Sequence, residues 1–263
     1  MKCLKNEISR LCALAAVGVW GAFALAADAK GDEVMQRSHD VAKPDYSRSQ
    51  VVMVLTDKNG TTEQRNVLQY GREKNDISSM VMDFRSPANI KDTRFLQIEN
   101  KGADDDKWIY LPALKNTRRV NASEGTKSFM GTDATYDDLS TREMEEDTHE
   151  FLREESKGGF ECNVVREVPV DPKSSQYKFR IVWVDKQTDL PVYTELYDKN
   201  EKLLKVVSVA KIQNVDGFNI PMESKIENVQ TKHSTSMKVL KVDVKTRLPD
   251  KIFTQDFLNT GKF

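Results

Sequence analysis

Residues 50–70 read QVVMVLTDKNGTTEQRNVLQY, two apolar runs of period two held apart by Lys58-Asn59-Gly60. Asn-Gly accepts the positive φ angles of a tight turn, and between such runs it is the strongest short-range sign of a hairpin. The stretch predicts paired strands at 50–56 and 62–70. Downstream the period persists: Met80, Met82 and Phe84 oppose Val81, Asp83 and Arg85, and strands are predicted at 93–98 and, after Asp104-Asp105-Asp106, at 107–111. Tyr177, Phe179, Ile181 and Trp183 are expected on one face. Strands at 191–197 and 202–213 follow, joined at Lys199-Asn200, and Asp216-Gly217 marks another hairpin turn before an alternating run at 238–245. Upstream, Val34, Met35, Val41 and Ala42 predict a short amphipathic helix over 33–42, closed by Pro44 because the residue before proline avoids helical angles.

Residues 137–156 mix helix-favouring Glu and Arg with too few apolar residues for a stripe, so helix and strand stay open there. Residues 123–138 read as a linker. So many strands joined by tight turns imply one antiparallel sheet too large to stay flat, which must curl to protect its edges. The fold expected is mainly β: an unclosed antiparallel barrel, or half-barrel, with an N-terminal helix and short covering helices or loops. Its concave side can hold an apolar ligand where side chains do not fill it.

The chain opens with Lys2, Lys5 and Arg10, then an apolar run over 11–27, then small residues, the three-part order of a secretory signal peptide. Ala24-Leu25-Ala26 offers the preferred cleavage site and Ala27-Asp28-Ala29 a second, the first giving a leader at 1–26 and one mature domain at 27–263. The run is shorter than the ~20 apolar residues that cross hydrocarbon, and Arg10 beside Cys12 spoils a lipidation motif. Loss of the leader moves the formal charge from −1 to −3, which gives no electrostatic case for nucleic acid. Cys3 and Cys12 leave with it, so Cys162 stands alone in an oxidising compartment and reads as a small buried residue.

No catalytic machinery is visible. His39, His149 and His233 belong to no spaced ligand set and read as scattered surface residues; nucleophile elbow, P-loop and dinucleotide fingerprints are missing. Asp104-Asp105-Asp106 lacks the Gly and distal Glu of a calcium loop, and the carboxylates from Glu143 to Asp147 read as wet surface. The expectation is a non-enzyme with no cofactor and no metal.

Two segments carry a resemblance: KWIYLPALKNTRRVN at 107–121 and SFMGTDATYDDL at 128–139. With FRSPANIKDTRFL at 84–96, LPVYTELYDKNEKLLK at 190–205, GFNIP at 217–221 and IFTQDFL at 252–258, they resemble the outer-membrane lipoprotein-sorting protein family, a branch of the LolA/LolB-like superfamily. One departure is Asp92-Thr93, where the family usually has Gly-Thr. The resemblance implies an unclosed β-barrel whose apolar cavity shelters acyl chains in the periplasm. Its partners would be an acylated lipoprotein or lipid, an inner-membrane transporter and an outer-membrane acceptor.

Candidate cavity or lid residues are Trp108, Tyr110, Leu111, Phe129, Met130 and Trp183. Trp108 and Tyr110 alternate with Ile109 and Leu111, so one pair faces inward, as core or as ligand contact. Phe129 and Met130 lie in a loop beside Gly131, an expensive place for large apolar groups unless they cover something, as a lid or as a local anchor. Arg118 and Arg119 could meet an acidic headgroup or a partner, or form salt bridges at a strand end. The competing function is an envelope protein that binds a protein partner or assists a membrane transporter; an empty apolar cavity distinguishes the two.

Overall fold

The structure is a computed structural model that describes residues 29–263, so the expected leader lies outside the described residues. Helix α1 (29–39) leads into β1 (Tyr46–Thr56), β2 (Thr62–Lys74), β3 (Ile77–Ser86), β4 (Arg94–Ile98), β5 (Asp106–Leu111) and β6 (Asn116–Arg119). After a long excursion come β7 (Asp147–Lys157), β8 (Phe160–Pro169), β9 (Phe179–Asp185), β10 (Pro191–Tyr197), β11 (Leu203–Val215), β12 (Phe218–Asn228) and β13 (His233–Asp243), then helix α2 (Gln255–Thr260). All thirteen strands form one antiparallel sheet in the order β6-β5-β4-β3-β2-β1-β13-β12-β11-β10-β9-β8-β7. The β1–β13 ladder joins the two halves, and β6 and β7 are left as open edges.

Local chemistry sets the turns. Asp216 and Gly217 both take positive φ, 53° and 97°, the two-residue turn the sequence predicts. Lys58-Asn59-Gly60 makes a wider loop: Asp57 accepts from the amides of Asn59 (2.8 Å) and Thr61 (2.9 Å), and Gly60 alone is at positive φ. Asp92 sits at φ 65°, a left-handed conformation that Gly adopts freely and Asp tolerates, so the tight turn forms here without Gly.

The sheet curls. Asp138 accepts a hydrogen bond from Lys205 on β11, while the carbonyl of its neighbour Leu139 accepts from Gln97 on β4. Those strands are six places apart in the sheet, about 29 Å if it were flat, so adjacent residues reach both only if the sheet wraps around them. The excursion between β6 and β7 thus marks the concave side. Phe129 and Tyr136 from it pack with Val51, Val67, Phe84, Phe95 and Ile109. Helix α1 lies on the same side, setting Val34 against Val165, Val182 and Val184. On the convex side Ile252, Phe257 and Leu258 of the C-terminal segment cover Tyr70, Val81 and Leu96.

Three expectations change and one open stretch is decided. Helix α1 is displaced toward the N-terminus because Gly31 seats against the His149 carbonyl of β7, a contact no apolar pattern reveals. Residues 137–156 resolve into two short 3-10 turns and β7, whose Glu and Arg suit an edge strand wet on one side. Residues 123–138 are not a linker, since Phe129 and the run from Thr132 to Tyr136 are buried, and His149 is buried rather than on the surface.

Candidate functional site

Pairing registers carry one concave row across the second half of the sheet: Leu55 (β1), Thr235 (β13), Ile226 (β12), Val207 (β11), Thr194 (β10) and Val182 (β9). The next row is Met53, Met237, Ser224 and Val209. Helix α1 covers the row at Val182 and the excursion covers it at Thr235, whose hydroxyl donates to Asp133 at 2.7 Å. Between these covers the wall is half-exposed. Strand β12 sits eighth of thirteen yet has no buried residue. Its Phe218, Ile220, Met222 and Ile226 alternate with Asn219, Pro221, Glu223, Lys225 and Glu227, so the concave face is apolar and the convex face charged. A central strand ordinarily buries its apolar face, and this one leaves it open.

The excursion, residues 120–146, plugs the other half of the concavity. Phe129 is 1% exposed, its ring 4.9 Å from that of Phe95, 5.5 Å from Tyr136 and 6.2 Å from Phe84. The loop around it is self-satisfied: Ser128 donates to the Thr132 carbonyl and Thr132 to that of Phe129, while Met130 and Gly131 turn at φ 53° and 77°. Arg65 of β2 donates to the Met130 carbonyl at 2.6 Å. Two carboxylates latch the plug to the wall strands. Asp133 accepts from Thr235 and pairs with His233 of β13 at 2.8 Å; Asp138 accepts from Lys205 and Tyr177 and, at 3.4 Å, from Gln176. Burial, and then the Asp138 charge, push the Tyr177 hydroxyl far above its ordinary range, so it stays a donor.

A family model described only as an uncharacterized protein matches residues 76–260. The chain belongs to this family. Among solved structures, a DUF1329 family protein from Desulfovibrio piger is 24% identical with a TM-score of 0.83, covering 88% of this chain and 99% of its own. A putative outer membrane lipoprotein-sorting protein domain from Vibrio parahaemolyticus is 28% identical with a TM-score of 0.82 and the same coverage, 88% and 99%. A LolA superfamily protein from Nitrosomonas europaea shares 18% identity over 86% of this chain and 98% of its own, with a TM-score of 0.65. The fold is therefore LolA-like, and the resemblance to lipoprotein-sorting proteins stands. A comparison with curated proteins gave no match.

Within this family member the SFMGTD segment is the tip of the plug, with Phe129 its apolar anchor and Asp133 its latch. Phe129, Met130 and Leu111 come together on the concave side. Trp108 and Tyr110 face the convex side, against the C-terminal segment, and Trp183 also points there with Tyr193, 5.1 Å away. Phe179 and Ile181 share the face of Trp183, whereas Tyr177 precedes β9 and turns to the plug. Arg118 pairs with Glu124 at 2.8 Å, and Arg119 with Asp106. The wall residues of β11–β13 were not singled out from sequence, although the alternation of β12 was there to be read.

Proposed function

We propose that the protein is a periplasmic carrier that shelters the acyl chains of a lipoprotein or lipid on the concave wall of β10–β13 during transfer toward the outer membrane. The observation that carries this reading is β12, a central strand whose apolar side chains all point to one uncovered face. Acyl chains gain ~0.8 kcal/mol per buried CH₂, so a cargo crossing water needs such a surface, and the plug beside it supplies a second wall. Cleavage after Ala26 delivers the protein to the compartment, where it takes cargo from an inner-membrane transporter and yields it to an outer-membrane acceptor. The family resemblance supports a lipid or lipoprotein carrier at this coarser level.

The test is displacement of a fluorescent fatty-acid probe, with mass spectrometry of organic extracts from protein purified out of a native periplasm. Submicromolar probe binding and a co-purified acyl lipid are expected, as is an N-terminus at Ala27. A protein that binds no probe and carries no lipid belongs to the alternative, recognition of a protein partner.

A further inference from the structure

The methionines of this chain are not spread evenly through its apolar clusters. The convex-side rings of Phe257 and Trp183 sit in clusters of aromatic, aliphatic and β-branched residues that contain no methionine. Every methionine among the described residues except Met144 stands instead on the concave side. Met53 of β1 and Met237 of β13 are direct partners in their ladder, and Met222 lies two residues before Ser224, the partner of Met237, on the same face of β12. Met80 and Met82 of β3 and Met130 of the plug join the Phe129 cluster, and Met35 of α1 packs against the valines beneath that helix.

The choice of side chain has a physical consequence. Val, Ile and Thr are stiff at χ1, so a wall made of them has one shape. Methionine is unbranched, turns about three bonds and carries a polarisable sulfur, so it fills whatever outline a neighbour presents. A rigid apolar pocket separates ligands that differ by one methylene by about tenfold or more, and a surface that repacks gives up most of that discrimination. In the wall both kinds occur. Ile226, Val207 and Val182 form the row beside the plug, whereas Met53 and Met237 begin the next row and Met222 follows it. Met53 is buried, and Met80 is tied, its sulfur accepting from Gln69 at 3.3 Å. Met222 and Met237 are half-exposed on the open strands, where a bound chain would lie against them.

We propose that the wall takes acyl chains of differing shape, straight or bent by a cis double bond, and that Met222 and Met237 supply the adaptability. This deepens the carrier reading and rests on it.

The experiment compares petroselinic, oleic, cis-vaccenic and elaidic acids as competitors of one fluorescent fatty-acid probe. These isomers share one formula and chain length, so shape and not the amount of apolar surface separates them. In the wild type their affinities are expected to agree within about threefold, against the tenfold or more of a rigid pocket. Met222→Ile combined with Met237→Ile keeps the apolar volume but fixes χ1, and should widen the spread to about tenfold or more while the best-fitting isomer keeps its affinity. Peptide mapping of hydrogen-peroxide oxidation reads the same two residues in the unaltered protein. Bound oleate should slow sulfoxide formation at Met222 and Met237 several-fold and leave Met144 unchanged, and this map decides where the double variant does not fold. A tenfold spread in the wild type, a spread that stays narrow in the folded double variant, or no protection of Met222 and Met237 with oleate bound overturns the adaptable wall and leaves the carrier reading standing. If no isomer binds, the carrier reading fails and the adaptable wall falls with it.

Discussion

Lys205 on β11 donates to one oxygen of Asp138 at 2.8 Å, and Tyr177 donates its hydroxyl to the other at the same distance. The lysine side chain is 6% exposed and the carboxylate 16%, so this pair fastens the plug to the wall strands from a largely dry position. Asp138→Ala leaves the ammonium buried and alone, and is expected to cost roughly 3–5 kcal/mol in a urea melt. Asp138→Asn, which still accepts from Tyr177, should cost less. Hydrogen exchange in 128–139 should quicken in both. A stability for Asp138→Ala within about 1 kcal/mol of wild type would show that the latch carries no load.

Phe129 and Met130 are neighbours with different duties. Truncating the fully buried ring among Phe84, Phe95 and Tyr136 should cost about 3–5 kcal/mol, whereas Met130→Ala, at a half-buried site, should cost about 1 kcal/mol or less. Thermal denaturation of the two variants checks the contrast. Equal losses would mean that the plug is anchored by its backbone and not by the ring.

The alternation that marks strands is local, which is why the hairpin of β1 and β2, the strands β3 to β5 and the turn at Asp216-Gly217 were legible in the sequence. Strand β7 was not, because a charged edge strand has the composition of a helix. The plug read as a linker because its latches are long-range: Asp133 meets residues a hundred positions away, and Asp138 meets Lys205 across 67. Nothing in the order of the strands announced that β1 closes on β13.

Cys162 on β8 is fully buried on the convex side, and burial, with the Asp185 carboxylate adding to it, pushes its thiol from 9.0 up to about 11. In the unfolded chain the thiol ionises first, so between those two values the folded state holds the extra proton and stability falls as pH rises. Cys162→Ala should flatten the stability profile between pH 9 and 11, and below pH 9 it should change the slope little. Maleimide labelling of the native protein near pH 7.5 should be slow until denaturant is added. Rapid native labelling would contradict the burial and with it the predicted slope.

Ile226 is the residue on which the carrier reading is most exposed to refutation. It stands on the concave row between Thr235 and Val207, half-exposed, on a strand that buries nothing, so an Asp there keeps access to water and the sheet should stay folded. With an acyl chain lying along the wall, the same carboxylate loses its water and meets no partner, a penalty of several kcal/mol. At ~1.4 kcal/mol per decade, probe affinity should fall at least about a hundredfold in Ile226→Asp. Glu227→Gln changes the charge on the convex face of the same strand, one residue away, and should leave the affinity where it was. Displacement of a fluorescent fatty acid reads both variants, with circular dichroism as the control for folding. Equal effects from the two would mean that charge and not the concave wall governs binding, and an unaltered affinity in folded Ile226→Asp would move the acyl chain off β12 altogether.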